Sequence, residues 1–316
     1  MTTFDVIVVG ELNADLILQD MPSFPEMGKE KLAKNMTLTM GSASAILATN
    51  ITRLGLKTGF VGKLGEDHFG EVVLETLKAR NVDISGIQFD PGVKTGVTVV
   101  LSFPDDYAMV THMGAMEFFS LDDVDFDYIK QAKHLHLSSF YLQPAMRKGA
   151  AELFKKAKDL GLSTSFDPGW DPDEQWENDI FDVLKYVDIF MPNEQESRFI
   201  SGKEDIQDIL NFFADYNEVV VITQGSKGAI CRHMDETFQA GVFNVESKDT
   251  TGAGDSFNAG FLSKRLAGGD VSTCLRYGSA CGAIATTKLG GSTASPTASE
   301  AEQFLEKHSE EIITRL

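Results

Sequence analysis

The 316-residue sequence has little that would support a disulfide, a zinc site or a nucleic-acid surface. Its three cysteines, Cys231, Cys274 and Cys281, show no CxxC spacing, so we expect buried free thiols and no metal-thiolate site. It contains 28 Lys and Arg against 47 Asp and Glu, which gives a formal net charge of -19. Nucleic acids and anionic membranes both require clustered basic residues. The charge therefore argues against both kinds of partner.

Long apolar runs and two common nucleotide motifs are also missing. The first apolar run, residues 6–9, is too short for a signal peptide or a membrane span, and no basic segment precedes it. We therefore expect a cytoplasmic protein without a membrane partner. The first predicted strand leads into no GxGxxG, which argues against a dehydrogenase, and no GxxxxGK[ST] loop occurs.

Short apolar segments alternate with amphipathic segments along most of the chain. Hydrophobic residues make up 42% of the sequence, which is enough for one continuous core. Strands are predicted at residues 4–10, 59–62, 134–138, 163–166, 187–191 and 219–223, and helices at 44–54, 69–79, 145–160, 178–185 and 206–214. This order predicts a single α/β domain over residues 1–316, a three-layer αβα, doubly wound fold with a mainly parallel sheet. Residues 228–234 and 237–242 predict an antiparallel hairpin at its edge.

Two regions, residues 12–38 and 95–113, interrupt the alternation. Neither contains a convincing helix, and both contain strand-like pieces, such as residues 96–102 and 108–113. We expect these pieces to pair into a small sheet that projects from the main body.

The most informative segment spans residues 249–262. Gly252 and Gly254 flank Ala253, so the backbone can adopt positive φ and direct successive N–H groups at one oxyanion. Apolar residues at helical spacing follow, which places this turn at a helix N-terminus, where free N–H groups and the dipole favour phosphate. A tight turn with Asp255 as N-cap is the structural alternative. The coincidence of the glycine pair, the acid and the helix favours phosphate chemistry.

Three further polar pairs have structural and functional interpretations. Asn13 and Asp15 follow the first strand, where they could bind hydroxyl groups or form a turn with equal ease. Asn193 and Glu196 stand three apart at a helix entrance, as a capping box would. His134-Leu135-His136 looks like a metal pair, but alternation on a buried strand and the lack of a third ligand favour a structural role.

The segment 249–262 resembles the second signature of the ribokinase family, the phosphofructokinase-B type of carbohydrate and nucleoside kinases. The resemblance implies an ATP-dependent kinase that uses Mg²⁺. Gly252, Ala253 and Gly254 would then form the anion hole for the transferred phosphate, and Asp255 would be the base for the substrate hydroxyl. It also implies that the small sheet, formed by roughly residues 12–40 and 93–114, is a lid over the sugar and a homodimer surface.

The same resemblance assigns substrate contacts near the start of the chain. Asp15 matches the substrate-binding aspartate of the family, with Asn13 beside it. Residues 41–48 and 61–70 resemble the first signature region, which makes Gly41, Ser42 and Ile46 further candidates. Relatives typically have a second glycine at the position of Ser42 and a sugar-binding asparagine at that of Ile46. The substrate contacts are therefore expected to be partly different.

Nucleotide and cation contacts follow from three further matches. In the family, the NxxE pattern that Asn193 and Glu196 repeat organises Mg²⁺ and phosphate largely through water, which suits a hard cation. A nucleotide-proximal loop would contain Thr223, Gly225 and Gly228. Asp249 and Thr251 would contribute to a site for a monovalent cation such as K⁺.

The acceptor is expected to be uncharged. Residues 165–172 occupy the place where many relatives read Asp-Pro-Asn-x-Arg, and here Gly169 and Asp171 replace the polar pair, so the arginine is missing. A sugar acid or a sugar phosphate would need such a cation. We therefore predict a kinase for a small neutral sugar, of the fructokinase or ribokinase type.

Two alternatives remain open at this stage. One is a nucleoside kinase of the adenosine or inosine type, in which Phe103 and Met109 stack on the base. The other is a nucleotide-sensing protein that has lost turnover. The retention of Asp255, Asn193 and Glu196 argues against that second alternative.

Overall fold

The computed structural model describes residues 2–103, 106–288, 295–310 and 312–316. The strands are β1 Phe4–Val9, β2 Asn13–Gln19, β3 Asn35–Met40, β4 Thr58–Gly65, β5 Asp83–Asp90, β6 Gly96–Ser102, β7 Tyr107–His112, β8 Ala132–Leu137, β9 Ser163–Phe166, β10 Ile189–Phe190, β11 Val219–Thr223, β12 Ala229–His233, β13 Glu236–Ala240 and β14 Ile313–Arg315. The helices are α1 Ala43–Arg53, α2 His68–Ala79, α3 Ala115–Phe118, α4 Phe126–Ile129, α5 Pro144–Asp159, α6 Ile180–Leu184, α7 Glu194–Ser201, α8 Ile206–Ala214, α9 Ala253–Leu266, α10 Val271–Thr286 and α11 Ala298–Lys307.

The larger of two sheets has ten strands among the described residues, in the order β14-β13-β12-β11-β10-β9-β8-β1-β4-β5. From β11 to β5 every neighbouring pair is parallel. The pairs β11–β12, β12–β13 and β13–β14 are antiparallel. The mainly parallel sheet and the edge hairpin are therefore as predicted.

Strand β1 shows how the sheet separates two cores. Val6 and Val8 belong to one buried cluster, which also contains side chains of α1, α2, α9, α10 and α11. Ile7 and Val9 belong to the other, with side chains of α4, α5, α6, α7 and α8. Because successive strand residues face opposite sides, an all-apolar strand is what a sheet covered on both faces requires. The structure thus confirms the three-layer αβα architecture.

The chain order reverses between β1 and β8. From β1 the sheet continues through β4 and β5 on one side, and through β8, β9, β10 and β11 on the other. Ligands of open α/β sheets bind at such a switch point, outside the carboxyl ends of the strands. Glu11 follows β1 there, and Ser138 and Ser139 follow β8.

A second sheet has four strands among the described residues, in the order β3-β2-β6-β7. It comes from the two regions that interrupt the alternation, so the predicted small sheet is present. The register pairs Asp15 with Thr98 and Thr98 with Thr111, which puts these side chains on one face. Met36 and Val110, one step out of phase, lie on the other face.

Several elements differ from the prediction. The strand expected at residues 187–191 is only Ile189–Phe190, although the Asp188 carbonyl still accepts the Val219 N–H and the Met191 N–H still donates to the Phe166 carbonyl. The helix expected at 178–185 covers only Ile180–Leu184. Strand β5, with sequence DISGIQFD, escaped prediction because an edge strand with one solvated side carries no continuous apolar run. Helix α11 and strand β14 were not predicted.

All three cysteines are free and buried, as predicted. Within the described ranges, no helix is both long and apolar enough to cross a bilayer.

Helices α9 and α10 pack closely through glycines. A Cβ on Gly260 would lie 2.8 Å from the Cys281 Sγ and 3.0 Å from the Gly278 Cα, so this crossing tolerates no side chain on α9. The crossing fixes the orientation of α9, whose first turn contains Asp255.

We expect Gly260→Ala to lower the free energy of unfolding by up to about 2 kcal/mol, since overpacking costs about 1–3 kcal/mol and alanine returns ~1 kcal/mol of helix propensity. Urea denaturation measures this. Gly254→Ala is the control on the same helix, because a Cβ there meets nothing within 4 Å. Equal stability of the two variants would contradict the packing argument.

Candidate active site

The N-terminus of α9 presents unpaired backbone donors. Gly252 is its N-cap in the left-handed region, at φ 71°, where glycine is favoured. The Ala253 N–H donates to the Thr250 carbonyl at 3.1 Å, so it is engaged in the turn. The Gly254 and Asp255 N–H groups donate to no residue that the structure describes. Because Gly254 is also exposed, the helix end is open to an anion from solvent.

Asp255 lies in this first turn, with part of its surface exposed. Desolvation raises its pKa well above the ordinary value, and the neighbouring carboxylates Asp167, Glu11 and Glu196 raise it further. These four residues, which we name the acid cluster, come from four different elements or the loops that follow them. Because like charges at close range cannot all ionise freely, the cluster retains protons to higher pH than isolated carboxyls do.

Glu11 is held by hydroxyl groups at the switch point. The Ser44 N–H donates to its Oε1 at 3.2 Å, and the Ser44 hydroxyl donates to Oε2. The Ser42 hydroxyl donates to the Glu11 backbone carbonyl at 2.6 Å and lies 3.1 Å from Oε1. The side chain of Ser139 is also within hydrogen-bonding reach. Burial is the main reason why the pKa of Glu11 is raised, and these hydrogen bonds oppose it.

Two of these serines have strained backbones. Ser42 has φ 70° and Ser139 has φ 56°, both in the left-handed region that L-residues rarely adopt. Such strain persists where the surrounding contacts fix the conformation, as at functional sites. Ser42 also caps α1, because its hydroxyl accepts the Ala45 N–H at 2.9 Å. The hydroxyl is therefore occupied by Glu11 and by α1, and it is not free for a substrate.

Asn13, Asp15 and Gly41 converge at the base of the small sheet. The Asn13 Nδ2 donates to the Asp15 Oδ1 at 2.9 Å and to the Thr98 hydroxyl at 3.2 Å. A Cβ on Gly41 would lie 2.1 Å from the Asp15 Oδ1, so only glycine leaves room for this carboxylate. Desolvation raises the pKa of Asp15 to about 6. The site thus holds a carboxylate, a suitable acceptor for sugar hydroxyls, ionised above that pH.

Asp167 follows β9 and connects the loop to α9. It accepts the Asn258 Nδ2 at 2.8 Å and the Gly169 N–H at 3.0 Å. Burial and the Glu11 charge raise its pKa. Since Asn258 lies one helical turn after Asp255, this hydrogen bond also holds α9 against the sheet.

Asn193 and Glu196 form a capping box. The Glu196 N–H donates to the Asn193 Oδ1 at 2.9 Å, and the Asn193 N–H donates to the Glu196 Oε2 at 2.9 Å. The pair therefore forms the capping box that its spacing predicts. Oε1 of Glu196 accepts no hydrogen bond from the described residues, so one oxygen of a buried carboxylate stays available. Burial and the Asp167 charge raise the pKa of Glu196.

The candidate nucleotide loop begins beside this box. Thr223 ends β11 and bridges to Asn193. Gly225 and Gly228 have φ 57° and 99°, and a Cβ on Gly228 would lie 1.9 Å from the Ala240 carbonyl oxygen. The backbone conformation therefore explains why both positions are glycine. The loop and the capping box are therefore neighbours, as a shared nucleotide site requires.

Other candidates are less well placed for contact. Ile46 is only 6% exposed and packs in the core beneath the switch point, so it presents little surface to a substrate. Asp171 is also buried, and its carboxylate accepts the N–H groups of Asp173, Gln175 and Trp176. Its role is thus to order the loop.

The cation candidates Asp249 and Thr251 lie just before α9. The Thr251 N–H donates to the Asp249 Oδ1 at 2.9 Å. Nothing further places a cation at this loop, so the monovalent-cation site stays a prediction. His134 and His136 are not metal ligands in the described part of the chain, because serine hydroxyls occupy all four ring nitrogens.

A cavity of about 820 Å³ lies at the opposite, amino-terminal edge of the large sheet. Its charged side chains neutralise one another: Lys133 pairs with Asp5 at 2.8 Å and Lys158 with Asp188 at 2.5 Å. We place the candidate active site at the carboxyl edge instead, because the unpaired amides and the acid cluster are there.

Glu11, Asp167 and Asn258 received no role from the sequence. The available signal was topological: Glu11 and Asp167 directly follow parallel strands, so they share an edge of the sheet. The position of Asn258 one turn after Asp255 offered a similar hint.

Comparison with known proteins agrees with this geometry. Residues 3–298 match the pfkB family carbohydrate kinase pattern. The chain belongs to this family. It is 32% identical over 286 residues to fructokinase-2 of Solanum lycopersicum, covering 84% of this chain and 86% of that protein.

Two solved structures of the family share the fold. Arabidopsis thaliana ribokinase complexed with ribose and ATP superposes with a TM-score of 0.84 at 25% identity, covering 96% of this chain and 99% of its own. An E. coli protein solved with ATP and Mg²⁺ superposes with a TM-score of 0.87 at 26% identity, covering 96% and 100%. The protein is a sugar kinase, a phosphotransferase that acts on an alcohol group.

The acid cluster should make this kinase less stable at high pH. A raised folded-state pKa contributes stability that is present below the unfolded pKa, 3.8 for Asp255, and lost as the pH rises through the folded value. We therefore expect Asp255→Asn to be more stable than the wild type, by a margin that grows from pH 4.5 to pH 8. Differential scanning calorimetry measures this margin.

The control for that experiment is Asp235→Asn, which changes an exposed aspartate in the β12–β13 turn. Its difference from the wild type should stay flat over the same pH range. A flat difference for Asp255→Asn as well would show that its carboxylate is not strained by burial and like charge.

Proposed function

We propose that the protein transfers the γ-phosphoryl group of ATP to a hydroxyl of a small neutral sugar of the fructose or ribose type. The observation that carries the proposal is the position of Asp255 beside the unpaired amides of Gly254 and its own backbone. A base and an anion site on one helical turn are what an in-line transfer between a hydroxyl and a phosphate needs.

Asp255 acts as the base in this mechanism. Burial and the neighbouring carboxylates raise its pKa, and a higher pKa makes the carboxylate a stronger proton acceptor than an ordinary aspartate. The sugar hydroxyl gives its proton to Asp255 as its oxygen bonds to phosphorus. The Gly254 and Asp255 amides, together with Gly252 as the left-handed cap that aims them, stabilise the negative charge of the transferred group.

Asn13 and Asp15 hold the other sugar hydroxyls. Gly41, which has no side chain, leaves space for the Asp15 carboxylate. The small sheet that carries them is proposed as a lid over the sugar. The neutral acceptor is supported by the charges at the site, because the described groups that shift the pKa of Asp255 and Asp167 include carboxylates but no lysine or arginine.

Mg²⁺ fits the donor set beside this site. Glu196 offers one free carboxylate oxygen, and hard oxygen ligands with intervening water are what Mg²⁺ prefers. When bound, the ion would neutralise phosphate charge. Glu196 would hold it through water, and Asn193 fixes the Glu196 side chain while Thr223, Gly225 and Gly228 line the neighbouring nucleotide loop.

An ADP-release screen over ketoses, aldoses, polyols and nucleosides tests the proposal. We expect turnover with a neutral sugar and a fall in kcat of about 10²- to 10⁴-fold in Asp255→Asn, with nucleotide affinity retained. Turnover with adenosine or inosine alone would favour the nucleoside kinase instead. ADP release without any acceptor would favour the nucleotide-sensing alternative, and near-normal turnover of Asp255→Asn would remove its role as base.

The small sheet also supports a homodimer. Its strands expose apolar side chains on both faces: Met36 and Val110 on one, Tyr107 and Met109 on the other. A second copy of the chain would cover such a surface, since contiguous apolar patches mark interfaces. The Met36–Val110 face is opposite to Asp15, so pairing through it leaves the sugar side open.

We expect the wild type to sediment as a dimer and Val110→Asp as a monomer, because a buried unpaired charge at the interface is strongly unfavourable. Lys78→Gln, on exposed α2, changes the net charge by the same amount and should stay dimeric. Sedimentation velocity compares the three, and a monomeric wild type would contradict the proposal.

A further inference from the structure

A continuous file of hydrogen-bonded side chains runs along β8 and β9. The Ser163 hydroxyl pairs with the His134 Nδ1 at 2.7 Å, and the His134 Nε2 pairs with the Ser165 hydroxyl at 2.7 Å. The same Ser165 hydroxyl pairs with the His136 Nδ1 at 2.6 Å, and the His136 Nε2 pairs with the Ser138 hydroxyl at 2.7 Å. We call these five residues the His–Ser file.

The parallel register produces the file. His134 is level with Ser163 and His136 with Ser165, and residues two apart share a face of the sheet. In the register with β1, His134 pairs with Val6 and His136 with Val8. Both valines belong to a buried apolar cluster, so the file lies in an otherwise apolar layer. Each ring has a hydroxyl partner at both nitrogens, and a neutral imidazole meets two such partners with one nitrogen as donor and the other as acceptor.

The two ends of the file face different surroundings. Ser163 is exposed and, with His134, lines the cavity at the amino-terminal edge. At the other end Ser138 is buried and is followed by Ser139, whose side chain reaches Glu11 of the acid cluster. The file therefore runs from the amino-terminal cavity to Ser138, the residue that precedes the Glu11 partner Ser139.

The histidines remain neutral inside the sheet. Burial lowers the pKa of His134 to about 4 and that of His136 to about 3. The charged groups facing His134 are Asp188 and Lys158, which are paired with each other at 2.5 Å. A neutral imidazole between two hydroxyls can accept a proton on one nitrogen as it releases one from the other, so the file can move a proton without holding a charge.

We propose that the His–Ser file conducts the proton released in phosphoryl transfer from the acid cluster to solvent at the opposite edge of the sheet. The inference rests on the proposed function, because only a hydroxyl acceptor supplies that proton. During turnover the sugar, the nucleotide and the small sheet cover the carboxyl edge. The file gives the proton a way out while that edge is closed.

The proton balance of this path closes without a further reactant. The acceptor O–H bond breaks as the oxygen–phosphorus bond forms, and the bond from phosphorus to the bridging oxygen breaks with its electron pair on ADP. The proton passes from Asp255 to Glu11 and through the Ser139 and Ser138 hydroxyls into the file. Each file member then releases one proton as it receives another, and one proton leaves at Ser163.

Single turnovers in weak buffer test the proposal, with quenched flow for sugar phosphate and a pH indicator for the released proton. In the wild type we expect both to appear at one rate. Ser165→Ala breaks the file between the two histidines, so proton release should lag at least about tenfold behind an unchanged phosphoryl transfer. Ser165→Thr, which restores a hydroxyl, should recover the wild-type timing.

Ser163→Ala is the matched control, because it removes a hydroxyl of the same file but leaves the His134 Nδ1 facing the cavity. It should release its proton on time. If Ser165→Ala does not fold, Ser138→Ala breaks the inner end and is expected to show the same lag. Proton release that keeps pace with transfer in the broken file, or that already lags in the wild type, overturns the proposed path. Absence of sugar phosphate with every acceptor would reject the proposed function and the path with it.

Discussion

The burial of four neighbouring carboxyl groups governs the electrostatics of this site. Burial raises the pKa of Glu11, Asp167, Glu196 and Asp255, and the charges of the neighbouring carboxylates raise those of Asp167, Glu196 and Asp255 further, at the end of a sheet where α9 offers a positive helix terminus. The helix dipole favours phosphate, whereas the cluster disfavours it. The proposed function reconciles the two tendencies, because phosphates that arrive with a divalent cation carry less negative charge into the cluster. Such an arrangement would also suit a protein with a net charge of -19.

The topology of the sheet brings the four carboxyl groups together, and two neighbouring serines have strained backbones. A doubly wound sheet brings the ends of β1, β8 and β9 to one edge, so residues far apart in sequence face each other. Holding Glu11 there requires hydroxyls from both α1 and the loop after β8. Ser42 and Ser139 provide them from left-handed conformations.

The sequence predicted the structure correctly where a physical requirement allows only one kind of residue pattern. A strand buried on both faces must be apolar throughout, so β1 and β11 were predictable, and the glycine turn before α9 was recognisable from its residues alone. It failed where contacts from elsewhere decide the role. Nothing local shows that Asp171 turns inward to order its own loop, or that Ser42 is occupied by Glu11. The small sheet was predictable in outline because two regions without a helical pattern contain short strand-like pieces that can pair with each other.

The raised pKa of Asp255 has opposite effects on the two halves of a catalytic cycle. In the proposed mechanism it makes the carboxylate a stronger base for the hydroxyl, and it also makes the protonated form slower to lose its proton afterwards. After transfer, the negative charge of the new sugar phosphate lies nearby and raises the pKa of Asp255 further, so Asp255 holds its proton more tightly. The low proton concentration of the bulk solvent drives release of the proton from Asp255. The site therefore needs a route by which that proton reaches bulk water. A hydrogen-bonded file of neutral groups lowers the barrier of that route without adding a buried charge, which an apolar strand pair in the same place could not do.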